Sequence, residues 1–231
     1  MSLSGKRVAV TGASRGIGRA IAEACVAEGM QVVSIARTTD GAVGARTVAC
    51  DLADSSARAA LVPKVLEELG GLDAWVNNAG IARHGPLVTA TDDDVRATFE
   101  LNFFAALDLA RAALPALLAS QGSLVFVAST LALRPAPGTG AYAASKAALV
   151  AMMRTLALEH GPAGVRVNAV APGVIDTDMV RGRDDLDAVR ALHPLGRLGT
   201  PEDVAGAVLH LLRAPWTTGT VLAVDGGQLA S

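Results

Sequence analysis

Short apolar runs alternate with segments of helical periodicity along the whole chain. The runs lie at residues 8–10, 32–36, 47–50, 74–76, 124–128, 165–170 and 221–224. Because they are apolar throughout, they predict strands that are buried on both faces, as in a parallel sheet. Between them, apolar residues recur at helical spacing, for example at 20–25 and 204–211, which predicts helices. The chain is therefore predicted to form one α/β domain over residues 1–231, with a doubly wound parallel sheet of about seven strands and helices on both faces.

Composition narrows the class of protein. Apolar residues make up 51% of the 231 positions and charged residues 18%, which supplies a sizeable core and excludes a disordered chain. Lys and Arg total 20 against 22 Asp and Glu, so the basic excess expected of a nucleic-acid-binding protein is missing. The two cysteines, Cys25 and Cys50, fit a reducing compartment. Since the sequence shows neither a signal-peptide pattern nor a charge-free apolar stretch of spanning length, we expect a cytoplasmic protein that binds no nucleic acid and no membrane.

A glycine-rich turn follows the first predicted strand. It reads Thr-Gly-Ala-Ser-Arg-Gly-Ile-Gly over residues 11–18 and runs directly into a helical pattern. Glycines allow the backbone to bend tightly and to approach a pyrophosphate closely, and the helix N-terminus then offers free amides to the anion. This context predicts a dinucleotide site, with an ordinary strand-to-helix turn as the alternative. The expected contacts are the turn residues Gly12, Ser14, Arg15, Gly16, Ile17 and Gly18.

The tip of the second predicted strand indicates which dinucleotide is bound. An unphosphorylated adenosine ribose calls for an acid about 20 residues past the turn, but the chain has Arg37 there. A guanidinium binds a 2′-phosphate bidentately, and Arg15 in the turn is expected to reach the same group. We therefore predict NADP(H) as the preferred cofactor. NAD(H) is the alternative, in which case both arginines are solvated surface residues.

Tyr142, Lys146 and Ser129 are the candidate catalytic residues. Tyr142 is the only tyrosine, and Lys146 follows it at i+4, which places both side chains on one face of a helix. A free phenol has a pKa of about 10, and a nearby ammonium is expected to lower that pKa toward the working range. Ser129 follows the fifth predicted strand, at the carboxyl end of the sheet, where ligands of α/β sheets bind. The alternative is that Tyr142 and Lys146 form an unrelated surface pair.

Taken in order, the motifs of the chain resemble those of the short-chain dehydrogenase/reductase family. The glycine spacing Gly-x-x-x-Gly-x-Gly is followed by Asp51, Asn77-Asn78-Ala79-Gly80, Leu101-Asn102, Ser129, Tyr142-Ala143-Ala144-Ser145-Lys146, Pro172-Gly173 and Val224-Asp225-Gly226-Gly227. The resemblance extends from Lys6 to Gly227, and the pattern is most similar to that of the 3-oxoacyl-[acyl-carrier-protein] reductases. The chain departs from the family at 37–46, which has no helical period although most relatives carry a helix between the second and third strands.

The resemblance implies a Rossmann fold and hydride transfer between C4 of a nicotinamide and a carbonyl carbon. Tyr142 would give the proton to the oxygen, Ser129 would stabilise the developing alkoxide, and Lys146 would also hold the nicotinamide ribose. Asn102 would bend its helix through a bound water and pass protons from Lys146 to solvent; otherwise it is only a polar residue inside a helix. The remaining implied cofactor contacts are Asp51 and Leu52 at the adenine, Asn78, Ala79 and Gly80 under the nicotinamide ribose, and Pro172, Gly173, Val174, Ile175 and Thr177 at the nicotinamide. Two alternatives stay open, namely Asp51 as the cap of the next helix and Pro172-Gly173 as an ordinary turn.

The substrate itself carries no recognisable sequence code. A substrate site lined by Ser129, Leu131, Tyr142 and Met179 is expected beneath a flap at about 176–200, although that charged stretch also fits a solvated loop. We expect an NADPH-dependent carbonyl reductase or alcohol dehydrogenase acting on a ketone or secondary alcohol, with a 3-oxoacyl thioester as one candidate substrate. An NAD-dependent dehydrogenase of a small alcohol, sugar or steroid is the alternative. A non-catalytic dinucleotide sensor is a further alternative, which the complete catalytic set disfavours.

Two more expectations concern assembly and metals. The family assembles through two long helices, here predicted over 92–118 and 141–160, so a homotetramer is expected, with a homodimer as the alternative. No metal site is expected, because the histidines show no metal-ligand spacing. Two of them, His84 and His193, are expected in loops near the cleft.

Overall fold

The computed structural model describes residues 1–41, 43–44, 46–178, 180 and 186–231, and within them seven strands form one sheet. The strands are β1 (Arg7–Thr11), β2 (Gln31–Ala36), β3 (Arg46–Ala49), β4 (Ala74–Asn77), β5 (Ser123–Val127), β6 (Arg166–Pro172) and β7 (Val221–Val224). Their order is β3-β2-β1-β4-β5-β6-β7, and every neighbouring pair is parallel. The predicted doubly wound Rossmann sheet is confirmed. The strand order reverses at β1 and β4, which is the switch point where open α/β sheets bind ligands.

Helices cover both faces of this sheet. They are α1 (Gly16–Ala27), α2 (Ser55–Leu69), α3 (Asp92–Phe99), α4 (Ala105–Ser120), α5 (Gly140–His160), α6 (Leu186–Ala191) and α7 (Pro201–Arg213). Successive strand residues point to opposite faces, so that Val8 packs with α1 and α7 whereas Ala9 packs with α2, α4 and α5. Because both faces are covered, Ile21 in one layer and Phe126 in the other are fully buried. This two-sided burial explains why the strands are apolar throughout.

The two predicted long helices are both present. The second is α5, and the first is a continuous helical stretch, Asp92–Ser120, in which a π turn at Glu100–Phe104 separates α3 from α4. By length and composition this stretch is apolar enough to cross a membrane. Its Leu109, Ala113 and Leu117 are nevertheless buried against the sheet, as in the core helix of a globular domain.

The connection between β2 and β3 departs from the family pattern as expected. The described residues between these strands form no helix, and the connection passes close to the glycine-rich turn, where a Cβ on Gly41 would lie 3.0 Å from the Ser14 carbonyl oxygen. At the other side of the cleft, Met179 and residues 181–185 of the predicted flap lie outside the described residues. The described part of the flap contains α6.

Candidate active site

The glycine-rich turn joins β1 to α1 at the switch point of the sheet. Gly12 has φ of +68°, a region that side chains disfavour, and a Cβ on it would lie 2.9 Å from the Asn78 amide nitrogen. A Cβ on Gly18 would overlap the Gly12 carbonyl oxygen. Arg15, directly before α1, makes no side-chain cap within the described structure. The turn therefore requires glycine at two positions, and the first amides of α1 are left to bind an anion.

Thr11 and Asn78 fasten this turn to the end of β4. The Thr11 hydroxyl accepts hydrogen bonds from the N–H groups of Asn78 (2.9 Å) and Ala79 (3.0 Å). The Asn78 amide donates to the carbonyl oxygens of Thr11 (2.9 Å) and Gly12 (3.4 Å). The side chain of Asn78 thus shapes the glycine-rich turn. Its contact with the nicotinamide ribose stays a prediction. Of the other turn residues, Ser14 is half-buried, and Ile17 and Gly16 are half-buried where the turn enters α1.

The adenosine end of the cleft carries the two predicted specificity arginines. Arg37 is exposed directly after β2. Arg15 is exposed on the turn, with its guanidinium 4.0 Å from the Asp178 carboxylate. The long, pliable stem of Arg15 and the wide spacing of this ion pair leave its guanidinium able to turn toward another anion.

Asp51 and Leu52 follow β3 at the same end. The carboxylate that caps α2 is that of Asp54, which accepts from two amides of the first turn, so the alternative of Asp51 as the helix cap is wrong. Asp51 is exposed. Leu52 packs in the core, and its carbonyl accepts a hydrogen bond from Arg58 at 2.6 Å. Asp51 is therefore accessible for the predicted adenine contact, whereas the side chain of Leu52 is directed into the core.

Ser129, Tyr142 and Lys146 come together at the carboxyl end of β5. Ser129 begins a short 3₁₀ turn and its hydroxyl accepts from the Leu131 N–H at 3.1 Å. Tyr142 and Lys146 lie in the first two turns of α5, with the ammonium 5.9 Å from the ring centroid. The Ser129 hydroxyl lies near enough to the phenol to act on its pKa, and Lys146 Nζ donates to the Val127 carbonyl oxygen at 2.8 Å. The interpretation of Tyr142 and Lys146 as a surface pair is therefore wrong.

Burial dominates the acid–base chemistry of this group. It raises the pKa of the Tyr142 phenol, and the hydrogen bond with Ser129 only partly opposes this. It also lowers the pKa of Lys146 to about 8. The prediction that the ammonium brings the phenol pKa down is therefore wrong, because Lys146 makes its hydrogen bond with Val127 and both groups lose hydration.

Asn102 lies in the π turn and is buried. Its Oδ1 accepts from the Ile81 N–H at 2.8 Å, and its Nδ2 donates to the Ile81 carbonyl oxygen at 2.9 Å. The predicted distortion of the helix at Asn102 is therefore present, as a π turn. The double bond with Ile81 ties the distorted helix to the segment after β4, so Asn102 is more than an isolated polar residue in a helix. Its role in a proton relay stays a prediction.

The side-chain amide of Asn102 is also connected to the catalytic group, through the hydroxyl of Ser145. Asn102 Nδ2 donates to the Ser145 hydroxyl at 3.1 Å, and that hydroxyl donates to the Tyr142 carbonyl oxygen at 2.7 Å. A Cβ on Gly80 would lie 2.9 Å from Asn102 Oδ1 and 3.4 Å from Lys146 Nζ. Gly80 therefore leaves a gap beside both side chains that a larger residue would narrow.

A loop over residues 172–177 crosses the cleft from β6 to the glycine-rich turn. The Gly173 N–H donates to the Val224 carbonyl oxygen at 3.0 Å, which fixes the start of the loop on β7. At the other end, Thr177 lies so close to the turn that a Cβ on Gly16 would be 3.4 Å from its Cγ2. The loop therefore extends from the end of β6, beside β7, to the glycine-rich turn.

The residues of this loop face different ways. Pro172 is the last residue of β6 and is buried, whereas Val174 and Thr177 are half-buried. Ile175 is buried in the core and forms an isolated parallel bridge with Gly199. An ordinary Pro-Gly turn does not describe this geometry, and the side chain of Ile175 is directed into the core.

Leu131 and His84 lie on the substrate side of the cleft, near the catalytic group. Leu131 is half-buried in the 3₁₀ turn after Ser129. The ring of His84 lies 6.1 Å from that of Tyr142, between centroids, so His84 is near the catalytic phenol as expected. The predicted contact at Met179 falls outside the described residues.

Two contributors to the site were not singled out from the sequence. Thr11 shapes the turn through its hydroxyl, and Ser145 links Asn102 to the backbone of Tyr142. The available signals were a hydroxyl residue at the strand end before Gly12 and a serine three residues after Tyr142, in the same helical segment. In the part of the chain that the structure describes, no group of three or more His, Cys, Asp or Glu side chains is placed to hold a metal.

Comparison with known proteins gives close matches along the chain. A family model described as enoyl-(acyl carrier protein) reductase matches residues 12–228. The 3-oxoacyl-[acyl-carrier-protein] reductase FabG of Salmonella typhimurium is 38% identical over 241 residues, which cover 99% of each chain. Two solved structures match the fold of this chain along nearly its whole length. Aldohexose dehydrogenase from Thermoplasma acidophilum has a TM-score of 0.94 at 33% identity, with 99% of this chain and 96% of that chain covered. A putative NAD(P)-dependent gluconate 5-dehydrogenase from Beutenbergia cavernae, with bound NADP, has a TM-score of 0.93 at 39% identity, with 100% and 99% covered.

The fold, the site and these relatives define an NAD(P)-dependent oxidoreductase that acts between CH–OH and C=O groups. Its sheet order, glycine-rich turn and Ser-Tyr-Lys group all agree with this class. The chain belongs to the short-chain dehydrogenase/reductase family.

Proposed function

We propose that the chain is an NADPH-dependent carbonyl reductase whose substrate is a 3-oxoacyl thioester. The observation that carries this proposal is the arrangement of Ser129, Tyr142 and the buried Lys146 at the end of the cleft that begins at the glycine-rich turn. A sensor that only binds a dinucleotide would need the turn alone. The buried catalytic group supports turnover instead.

The cleft fits a nicotinamide dinucleotide, which supplies a hydride from C4 when it is bound. The glycine-rich turn and the uncapped first amides of α1 would hold the pyrophosphate. Asp51 would hold the adenine, and Lys146 with the backbone at Gly80 would hold the nicotinamide ribose. The loop over residues 172–177 would cover the nicotinamide.

The protein's own side chains would then stabilise the substrate carbonyl oxygen and supply its proton. Ser129 would donate a hydrogen bond to the carbonyl oxygen, where negative charge develops. Burial keeps the Tyr142 phenol protonated at neutral pH, so Tyr142 is ready to donate a proton, as reduction requires. Lys146, with a pKa of about 8, can exchange a proton near neutral pH, and Asn102 would pass that exchange toward solvent.

The preference for NADPH rests on Arg37 and Arg15. Both guanidiniums are exposed at the adenosine end, where a 2′-phosphate would lie. Each charge-assisted hydrogen bond to a phosphate is worth about 1.5–3 kcal/mol. NADH has no 2′-phosphate, so both guanidiniums would stay hydrated and would add nothing to its binding free energy.

The relatives point to two kinds of substrate. The FabG relative is named for reduction of a 3-oxoacyl group on acyl carrier protein, and the half-buried Leu131 beside Ser129 suits an acyl chain. The two structural relatives are named for an aldohexose and for gluconate. A polyhydroxylated substrate is the second candidate, because His84 places a hydrogen-bonding ring near Tyr142.

The first test follows the near-ultraviolet absorbance of reduced nicotinamide with acetoacetyl thioester as the acceptor. We expect rapid oxidation of NADPH and slow oxidation of NADH. Arg37→Ala should lower kcat/KM for NADPH by about tenfold or more and leave that for NADH unchanged. Arg154→Ala, at an exposed position of α5, is the matched control. Equal rates with NADPH and NADH in the wild-type chain would contradict the role of Arg37.

Tyr142→Phe tests the proton donor. The variant should bind NADPH with unchanged affinity and turn over at least about 100-fold more slowly. Turnover at the wild-type rate would refute the assignment. Gluconate and aldohexoses with the oxidised cofactor form the second arm, and turnover there without thioester reduction would select the second candidate.

We also propose the coarser properties of the protein from the sequence and the family. The whole chain, 1–231, is taken as one oxidoreductase domain with a flap at about 176–200. It is proposed to be cytoplasmic and homotetrameric, with a homodimer as the alternative, and to bind neither nucleic acid nor membranes. A monomer mass by light scattering at micromolar concentration would contradict the assembly.

A further inference from the structure

His193 is a buried histidine that the catalytic chemistry does not use. It is 3% exposed and lies just after α6. Its Nε2 lies 3.2 Å from the Val174 N–H nitrogen, and its Nδ1 lies 2.9 Å from the Val189 carbonyl oxygen. The ring therefore connects the middle of the loop over residues 172–177 to α6.

The two contacts determine which ring nitrogen carries the proton. A backbone N–H can only donate, so Nε2 must be the acceptor toward Val174. A carbonyl oxygen can only accept, so Nδ1 must carry the hydrogen toward Val189. His193 is thus held as the neutral Nδ1–H tautomer, in which Nδ1 donates one hydrogen bond and Nε2 accepts another.

The ring also fills the space beside the loop. A Cβ on Gly173 would lie 3.0 Å from His193 Nε2, and a Cβ on Gly226 would lie 3.4 Å from His193 Cβ. The Gly173–Val174 peptide is therefore enclosed between the imidazole and the segment after β7. Its orientation is set by a hydrogen bond from Val174 rather than by the loop sequence alone.

We propose that His193 is a positioning residue for the nicotinamide half of the cofactor. This inference rests on the proposed function, in which the loop over residues 172–177 covers the nicotinamide. By accepting from the Val174 N–H, His193 holds the Gly173–Val174 peptide in one orientation beneath the place where the nicotinamide ring binds. The adenosine half of the cleft, at Arg37, has no part in this contact.

Two amide variants separate the two nitrogens of the ring. The amide of His193→Gln reaches the position of Nε2 and keeps an acceptor for Val174. The amide of His193→Asn reaches only the position of Nδ1, so it keeps the contact with Val189 and loses that with Val174. His210→Gln, at an exposed position of α7, is the matched control.

The test measures affinity for NADPH and for 2′-phospho-ADP-ribose, which lacks the nicotinamide. His193→Asn should weaken NADPH binding by about tenfold, because the half-buried Val174 N–H loses its acceptor, and should leave the affinity for 2′-phospho-ADP-ribose unchanged. Amide hydrogen exchange at Val174 should accelerate in this variant. His193→Gln should recover most of the NADPH affinity and of the exchange protection at Val174.

Three outcomes would overturn the inference. NADPH affinity is set elsewhere if His193→Asn binds NADPH as tightly as the wild type does. A general folding role is indicated if both ligands weaken equally, or if His193→Gln and His193→Asn lose affinity in proportion to their loss of Tm. Failure of the proposed function is a separate result, because it would show as no NADPH binding or no turnover in the wild-type chain.

Discussion

Replacing Lys146 by methionine should stabilise the protein while it abolishes activity. Lys146 is 4% exposed, and burial lowers its pKa from 10.5 to about 8. Each pKa unit corresponds to about 1.4 kcal/mol, so the charged form costs the folded state about 3 kcal/mol near neutral pH. Methionine of similar length removes that cost and also the hydrogen bond to the Val127 carbonyl oxygen, worth about 1 kcal/mol. The free energy of unfolding of Lys146→Met at about pH 7 should therefore exceed that of the wild type by about 2 kcal/mol.

The sign of the pH dependence provides a second measurement. Between pH 8 and 10.5 the unfolded chain still binds the proton that the folded chain has lost, so the stability of the wild type rises with pH in this window. The advantage of Lys146→Met should shrink by about 2 kcal/mol between about pH 7 and about pH 10. Other titrating groups are common to both proteins and cancel in the difference.

Urea unfolding of the cofactor-free proteins at the two pH values is the assay. Lys64→Met, an exposed lysine of α2, is the control and should change stability by less than about 0.5 kcal/mol at either pH. A Lys146→Met protein that is less stable than the wild type, with a deficit that does not change with pH, would refute the reasoning.

Three further substitutions test how the site is supported. Gly18→Ala should abolish NADPH binding, measured by nucleotide fluorescence, because its Cβ would overlap the Gly12 carbonyl oxygen; retained affinity would contradict the tight turn. Arg58→Met should destabilise the protein by about 1–2 kcal/mol in urea, since the Leu52 carbonyl and the partner carboxylates lose the guanidinium that donates to them, whereas exposed Arg154→Met should be neutral. Thr200→Ala should lower stability by about 1 kcal/mol through loss of the capping box of α7, and an unchanged Tm would show that this cap is redundant.

The fold could be predicted from the sequence because its strands and its turn are encoded locally. Each apolar run became a strand of the parallel sheet, within two residues at either end, since only a strand covered on both faces is apolar throughout. The glycines at Gly12 and Gly18 are required by the backbone itself. The i, i+4 spacing of Tyr142 and Lys146 was likewise enough to place both on one face of α5.

Features that depend on long-range packing could not be predicted. The rise in the phenol pKa of Tyr142 follows from how deeply α5 packs, and spacing alone only suggested the opposite shift. Leu52 and Ile175 turn into the core, although neighbouring residues reach the cleft. The hydrogen bond between Val174 and His193 joins two loops that the packing of α6 brings together. No local sequence pattern indicates it.

The residues of the cleft follow strands that are far apart in the chain, and this affects when the cleft is completed during synthesis. The glycine-rich turn follows β1, but Gly80 follows β4, Ser129 follows β5 and Gly173 follows β6. A nascent chain therefore has the first part of the nucleotide site long before the rest. Because the site needs residues that follow all of these strands, nucleotide at a hundredfold excess over Kd would stabilise the completed sheet by about 2.7 kcal/mol. In the cell, the nucleotide pool would thus shield finished molecules from proteases and leave incomplete ones open to degradation.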